Sequence, residues 1–135
     1  MGNESQDLAG YREALLAGQL AGQRCDRCRR HWWPPRPACP RCGSLDFAWV
    51  TLPREAELFS WTVVAHPTLP AFSDRVPYAV GVMAFHDIGI RVVGFVDGAP
   101  ENLSIGLRMA WEVPPNRSTD APPVRWVVAD DANAG

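Results

Sequence analysis

Residues 23–44 read Gln-Arg-Cys-Asp-Arg-Cys-Arg-Arg-His-Trp-Trp-Pro-Pro-Arg-Pro-Ala-Cys-Pro-Arg-Cys-Gly-Ser and contain all four cysteines of the chain. Cys25 and Cys28 form one C-x-x-C pair, and Cys39 and Cys42 form a second pair after ten intervening residues. A two-residue gap lets both thiolates of a pair face one point, so two pairs supply the four ligands of a tetrahedral Zn²⁺. The stretch therefore predicts a zinc ribbon whose metal is structural, because four protein ligands leave no open position for catalysis.

Two other uses of the cysteines are less consistent with this spacing. Two disulfides would suit an oxidising compartment, and a redox C-x-x-C would not need a duplicate. Gly43 follows the second pair and supplies the backbone freedom that such turns require, whereas Arg29 stands at the same place after the first pair. The ribbon is too short to build a core, so metal binding supplies its folding energy.

Positive charge is concentrated around the cysteines. From Arg24 to Arg41 there are six arginines against Asp26, whereas the whole chain has a net charge of −2, so the rest of the chain is acidic. A basic module on an acidic body fits either a docking surface or a small anionic ligand. All 13 basic residues are arginine, which excludes Schiff-base lysine chemistry and lysine-dependent phosphate loops.

A helix is predicted before the ribbon. Asp7 can cap residues 7–18, Leu8, Tyr11 and Leu15 repeat at helical spacing, and Gly18 can end the helix. So short a helix needs a surface to lie on, either the protein's own body or a partner.

After Pro53 the apolar pattern changes to a period of two residues. Five β-branched or aromatic runs predict five strands, at residues 58–65, 78–85, 90–96, 107–113 and 124–128. Five short strands favour a small closed barrel of the oligonucleotide/oligosaccharide-binding (OB) type. The fold class is therefore mainly β, with an N-terminal helix at 1–19, a rubredoxin-like zinc ribbon at 20–52, an OB-fold barrel at 53–129 and a tail at 130–135.

The sequence contains no recognisable catalytic constellation. His31, His66 and His86 lie far apart, no nucleophile elbow is present, and the cysteines are assigned to metal. His66, beside the proline-rich loop 66–77, is the best candidate for a site role, but it has no partner in the sequence. We therefore predict no catalytic residue.

Composition and length set the remaining bounds. The chain has 135 residues, 47% of them hydrophobic, which fits one principal core beside a small module. No apolar run approaches the length of a bilayer span, and no secretory signal is visible, so we expect a cytoplasmic protein.

The order of these motifs resembles the DUF35 family, the zinc-ribbon and OB-fold acyl-CoA-associated proteins. The resemblance is carried by residues 23–28, 34–44, 58–64, 77–82 and 105–109 and covers nearly the whole chain. It implies a non-catalytic subunit that accompanies thiolase-superfamily enzymes or MaoC-like hydratases. In some members the partner is a lipid-transfer-protein-like aldolase of steroid side-chain degradation.

The resemblance also suggests a ligand for the basic segment. Arg29 and Arg30 could meet the phosphates of CoA, and Trp32 or Trp33 could stack on its adenine, although a partner contact is an equal alternative. One tryptophan is expected to cover the metal knuckles instead, because consecutive side chains of an extended segment point to opposite sides. The alternative function is single-stranded nucleic-acid binding, which the acidic barrel disfavours.

Overall fold

In the part of the chain that the structure describes, one α-helix is followed by a three-stranded ribbon and a closed five-stranded barrel. A computed structural model describes residues 2–65, 77–114 and 123–129, and of residues 2–8 it describes only the helical backbone. The elements are α1 (Gly2–Leu16), β1 (Ala21–Cys25), β2 (His31–Trp32), β3 (Phe47–Thr51), β4 (Glu55–Val64), β5 (Tyr78–Phe85), β6 (Ile90–Val96), a 3₁₀ helix (Pro100–Asn102), β7 (Arg108–Glu112) and β8 (Arg125–Val128). The predicted fold class is confirmed.

Helix α1 lies on the protein's own body. It begins at Gly2, earlier than the predicted Asp7, and ends at Leu16, after which Gly18 takes the left-handed φ of 81°. Leu15 is buried and Tyr11 packs against the barrel core. These side chains are therefore used internally rather than offered to a partner, and the side chain of Leu8 lies outside the described residues.

The ribbon is an antiparallel sheet of order β2-β1-β3. At its centre the side chain of Gln23 is completely buried and binds the loop after β2 in both directions. Its Nε2 donates to the Arg36 carbonyl at 2.7 Å, and the Arg36 amide donates to its Oε1 at 2.8 Å. Both polar ends of the Gln23 amide therefore have hydrogen-bond partners, which offsets the free-energy cost of burying it. The same two bonds fix the loop between the cysteine pairs.

The barrel closes in the order β4-β5-β6-β8-β7, with β6 and β8 parallel and the other neighbours antiparallel. Its first strand begins at Glu55 instead of the predicted residue 58, since Glu55 and Ala56 pair with β7. A tight turn joins β5 and β6, with Gly89 at a φ of 69° and its amide bonded to the Phe85 carbonyl at 2.9 Å.

Ribbon and barrel share one hydrophobic core. The centre of the barrel is filled by fully buried side chains, namely Leu58, Met83, Val92, Val96, Met109 and Trp126. Leu20 and Leu52, which flank the ribbon strands, belong to the same cluster. The ribbon is therefore anchored on the barrel, while the exact division at residues 52 and 53 stays a prediction. Among the described residues, no helix has the length and apolar character that a membrane span requires.

Candidate metal centre and the adjoining cleft

The four cysteines converge on one point, as their spacing predicts. All four Sγ atoms lie within 4.8 Å of one another, and the Cys25–Cys42 and Cys28–Cys39 sulfur pairs are each 3.6 Å apart. Tetrahedral zinc with Zn–S bonds of about 2.3 Å requires sulfurs about 3.8 Å apart. Within residues 2–65, 77–114 and 123–129 no second group of such ligands is close enough to hold a metal.

The two knuckles have the same backbone geometry although their sequences differ. The Arg29 amide donates to the Cys25 carbonyl at 3.1 Å, and the Gly43 amide donates to the Cys39 carbonyl at 3.0 Å. Gly43 has a φ of 77° and Arg29 a φ of 67°. Arg29 therefore adopts the left-handed conformation that glycine adopts at a lower cost in free energy. The first knuckle thus keeps the same turn although it has no glycine after its second cysteine.

Backbone amides stabilise thiolates in the site. The Cys28 and Arg27 amides both donate to the Cys25 sulfur at 3.4 Å, and they lower the pKa of Cys25 to about 6. At Cys42 the Ser44 amide favours the thiolate, but the neighbouring sulfurs of Cys25, Cys39 and Cys28 outweigh it and raise the pKa to about 11. Four thiolates so close together need a cation between them, and zinc supplies that charge.

A small apolar cluster covers one side of the metal site. Cys25 and Cys39 are buried with Trp32, whose ring is 4% exposed and meets Phe47 edge-on at 5.6 Å. Cys28 lies on the opposite, exposed side. Trp32 is thus the tryptophan that covers the knuckles, as expected for one of the pair.

Of the two tryptophans that could stack on adenine, Trp32 is too buried to do so, whereas stacking on Trp33 stays a prediction. Trp32 is buried in the ribbon, and Trp33 is half-buried against the barrel core beside Tyr11. Burial raises the pKa of Tyr11, and the Trp33 side chain partly opposes that shift. Both rings are used for packing, because the ribbon needs apolar side chains to seal the metal and to attach to the barrel.

Five of the six arginines between positions 24 and 41 are exposed, and Arg24 is half-buried. Arg29 and Arg30 are exposed, as a ligand or partner contact requires, and they line a cleft of about 660 Å³ between the ribbon and the β5–β6 turn. Arg41, His31 and His86 line the same cleft. Local sequence patterns could not predict that His31 and His86 line one cleft, because they are 55 positions apart and belong to different modules.

Two carboxylates near the start of β4, Glu55 and Glu57, do not form a pair that could act in acid–base chemistry. Glu55 bonds Arg108 at 3.3 Å, and Glu57 bonds His86 at 3.0 Å. Burial, together with the charge of Arg24, lowers the pKa of His31. His66 and residues 67–76 of the proline-rich loop lie outside the described residues.

Two known domain families match this chain, one over the ribbon and the other over the barrel. Residues 12–48 match the family described as the ChsH2 rubredoxin-like zinc ribbon domain, and residues 49–113 match the ChsH2 C-terminal OB-fold domain. A solved structure titled as the Ltp2-ChsH2(DUF35) aldolase is 30% identical, with a TM-score of 0.79, and the match covers 92% of this chain and 95% of that one. The chain belongs to the DUF35 family. Its ribbon therefore carries a structural zinc site.

Three other proteins extend the comparison. The chain is 34% identical over 103 residues to a probable enoyl-CoA hydratase alpha subunit of Thermomonospora curvata; the match covers 76% of this chain but only 32% of that protein, so the chain spans about a third of its length. It is 24% identical over 109 residues to a DUF35 domain-containing scaffold protein of Pyrococcus furiosus, covering 81% and 79% of the two chains. A DUF35 structure from Sulfolobus solfataricus, 19% identical with a TM-score of 0.59 over 94% and 85% of the chains, shares the fold.

Proposed function

We propose that this chain is a non-catalytic accessory subunit of an acyl-CoA-metabolising enzyme complex, in which it binds and stabilises a thiolase-superfamily aldolase. The observation that carries the proposal is the similarity to the Ltp2-ChsH2(DUF35) aldolase structure over nearly the full length of both chains. The name of the Pyrococcus furiosus relative, a scaffold protein, supports the same role. Steroid side-chain degradation is the setting that we propose for the partner enzyme.

The metal site supports a structural role. Its four ligands close the coordination sphere, so zinc holds the ribbon and offers no position for an activated water. In the described residues the exposed histidine, His86, is held by Glu57 and faces no nucleophile in hydrogen-bond contact. The chemistry of the complex would then belong to the partner enzyme.

The outer face of β4–β6 is the surface that we assign to the partner. Pairing places Val82 beside Val93 and Val80 beside Phe95, and Val93 is 51% exposed. Phe59 on the adjoining β4 is 43% exposed. Contiguous apolar side chains that are exposed or partly exposed mark protein interfaces. Tyr11 and Leu15 of α1 and the two tryptophans already pack inside the molecule.

A MaoC-like hydratase is the second candidate partner. The relative from Thermomonospora curvata is named as a hydratase alpha subunit, and this chain corresponds to about a third of it. Single-stranded nucleic-acid binding is not favoured, because Arg91 is the one cation on β5 and β6 and its guanidinium lies 3.9 Å from the centre of the Phe59 ring.

Co-expression followed by size-exclusion chromatography tests the proposal. We expect the chain and its cognate thiolase-like aldolase to elute together, built around the enzyme's own dimer, and the enzyme to be more soluble or more active in the complex. The cognate hydratase, co-expressed in parallel, tests the second candidate. Separate elution at micromolar concentration, with each enzyme fully active alone, would contradict the accessory role.

A further inference from the structure

We infer that Cys28 is a redox modification site, at which a hydroperoxide oxidises the zinc ribbon and causes it to lose its metal. The four cysteines differ in their access to solvent: Cys28 and Cys42 are exposed, whereas Cys25 and Cys39 are buried. One cysteine of each knuckle is therefore open to a reagent in solution, and oxidation of cysteine follows exposure and thiolate character. The inference concerns the metal site and does not depend on the proposed function.

Position in the cleft separates Cys28 from Cys42. Cys28 lines the cleft of about 660 Å³ between the ribbon and the β5–β6 turn, whereas Cys42 is not among the described residues that line it. The two buried cysteines are packed with Trp32 and Phe47, which cover that side of the metal site. A small oxidant that enters the cleft therefore meets Cys28 first.

Arginines give the Cys28 thiolate an electropositive setting. Arg29, Arg30 and Arg41 are exposed and line the same cleft, where Asp87 of the facing wall is the one carboxylate among the lining residues. None of these arginines forms an ion pair in the part of the chain that the structure describes. When a thiolate attacks a peroxide, negative charge moves from sulfur to the leaving oxygen, and guanidinium groups donate hydrogen bonds to such an oxygen. Reactive cysteines occupy partly exposed, electropositive surroundings of this kind.

The oxidation consumes two thiolates and one molecule of hydrogen peroxide. The Cys28 sulfur attacks one peroxide oxygen; an S–O bond forms, the O–O bond breaks, and the other oxygen leaves as water after taking a proton from solvent. The Cys39 sulfur, 3.6 Å from that of Cys28, then attacks the oxidised sulfur. An S–S bond forms, the S–O bond breaks, and its oxygen leaves with a second solvent proton as water. The two thiolates lose two electrons, and the peroxide is reduced to two waters.

Loss of the metal follows from the number of ligands that remain. A disulfide between Cys28 and Cys39 leaves Cys25 and Cys42 as thiolates, and two thiolates do not complete a tetrahedral zinc site. The two sulfur pairs that lie 3.6 Å apart both join one knuckle to the other, so the expected disulfide links the knuckles. Because metal binding supplies the folding energy of the ribbon, its order is lost together with the zinc.

Treatment of the intact, zinc-loaded chain with hydrogen peroxide tests the inference. A chromophoric chelator follows zinc release, and peptide mapping follows each cysteine, with dimedone in a parallel sample to trap a sulfenic acid. We expect the trapped group on Cys28, a Cys28–Cys39 disulfide when dimedone is absent, and recovery of zinc binding after reduction. First modification at another cysteine, a disulfide within one knuckle, or zinc that stays bound under peroxide would overturn the inference.

The variants alter arginines, because a change at Cys28 itself removes a metal ligand. Arg30→Gln combined with Arg41→Gln should slow zinc release by peroxide about fivefold, since both guanidinium groups line the cleft. The matched control combines Arg12→Gln with Arg36→Gln, which removes the same charge at exposed positions that do not line the cleft. Its rate should stay within about twofold of the unaltered chain. Zinc content is measured on every variant before oxidation, and equal rates in the two double variants would contradict the role of the cleft.

Discussion

Arg29 occupies a backbone conformation that costs a non-glycine residue free energy. Its φ of 67° corresponds to that of Gly43 in the second knuckle. The Arg29→Gly variant should raise the free energy of unfolding of the zinc-loaded chain by about 1 kcal/mol, because glycine adopts left-handed backbone without the Cβ contact. Denaturant unfolding measures the change.

Arg30→Gly is the matched control for that change. It removes the same charge one residue later, where φ is not positive. Here glycine relieves no strain and only adds freedom to the unfolded chain, so the variant should be destabilised by about 0.5–1 kcal/mol. Equal effects of the two variants would show that charge, not backbone conformation, governs the stability at Arg29.

Gly94 lies directly against the indole of Trp126 in the barrel. A Cβ atom at this position would be 2.6 Å from the Trp126 Nε1, and Trp126 is fully buried. Gly94→Ala should therefore destabilise the fold by about 1–3 kcal/mol, as overpacking of a dense core does. Thermal or denaturant unfolding gives the value.

A double-mutant cycle separates this clash from the loss of backbone freedom. The Trp126 Nε1 is buried without a partner in the described residues, so Trp126→Leu gives up packing but no hydrogen bond. In the Trp126→Leu background the additional cost of Gly94→Ala should shrink, because leucine has no ring and no atom at the place of the indole Nε1 that the new methyl would meet. Strictly additive costs would argue against the predicted contact.

At the scale of elements, the ribbon depends on its metal more than the barrel does. Apart from the metal, the apolar contacts that hold the knuckles in the described residues come from a small cluster of Cys25, Trp32, Cys39 and Phe47. Cys39→Ser should remove zinc and the order of residues 25–47, while the barrel keeps its structure. Metal analysis measures the first effect, and hydrogen exchange resolved by segment measures the second.

Ala38→Ser provides the control, since it places the same side chain on the neighbouring residue without touching the ligand set. It should retain one zinc ion per chain and unaltered exchange. The barrel could also lose structure together with the ribbon, because Leu20 and Leu52 join the two modules in one core. If β4–β8 lose protection in parallel with the knuckles of Cys39→Ser, the two modules fold as one unit.

For the whole molecule, we expect the partner to cover the outer face of β4–β6. Val93→Glu places a charge in that apolar surface and should weaken the complex with the aldolase about tenfold or more. The partner would remove the carboxylate from water, and Arg91, two residues away on the same strand, would offset this cost only in part. Pull-down or analytical ultracentrifugation of the co-expressed pair measures the loss. The control is Leu45→Glu, at an exposed leucine of the ribbon, which should leave the complex intact. If both variants weaken the complex equally, the outer face of β4–β6 is not the surface that the partner covers.

The isolated chain is expected to turn over no acyl-CoA substrate. In the described residues the zinc site is closed and the carboxylates of Glu55 and Glu57 are held by Arg108 and His86. Thioester and aldol-cleavage assays of the purified chain, with the co-purified complex as the positive control, check this. Activity of the pure chain that disappears on His66→Ala would overturn it.

The sequence by itself determined the metal site and the order of modules. Cysteine spacing fixes which thiolates can face one point, and alternation along each strand fixes which side is buried; both are properties of neighbouring residues. The ligand set Cys25, Cys28, Cys39 and Cys42 and the five barrel strands follow from these local patterns, with errors only at the ends of elements such as the start of β4.

Only the tertiary structure decided which contacts are made by the side chains that lie between the cysteine pairs and in the turns. The sequence predicts that one of Trp32 and Trp33 covers the metal knuckles. The structure gives that place to Trp32 and packs Trp33 against the barrel core, because the ribbon and its seam with the barrel must exclude water. His31 and His86 meet at one cleft because the ribbon docks on the barrel. Such contacts depend on how two separately patterned surfaces fit together, and no local pattern in a single chain encodes that fit.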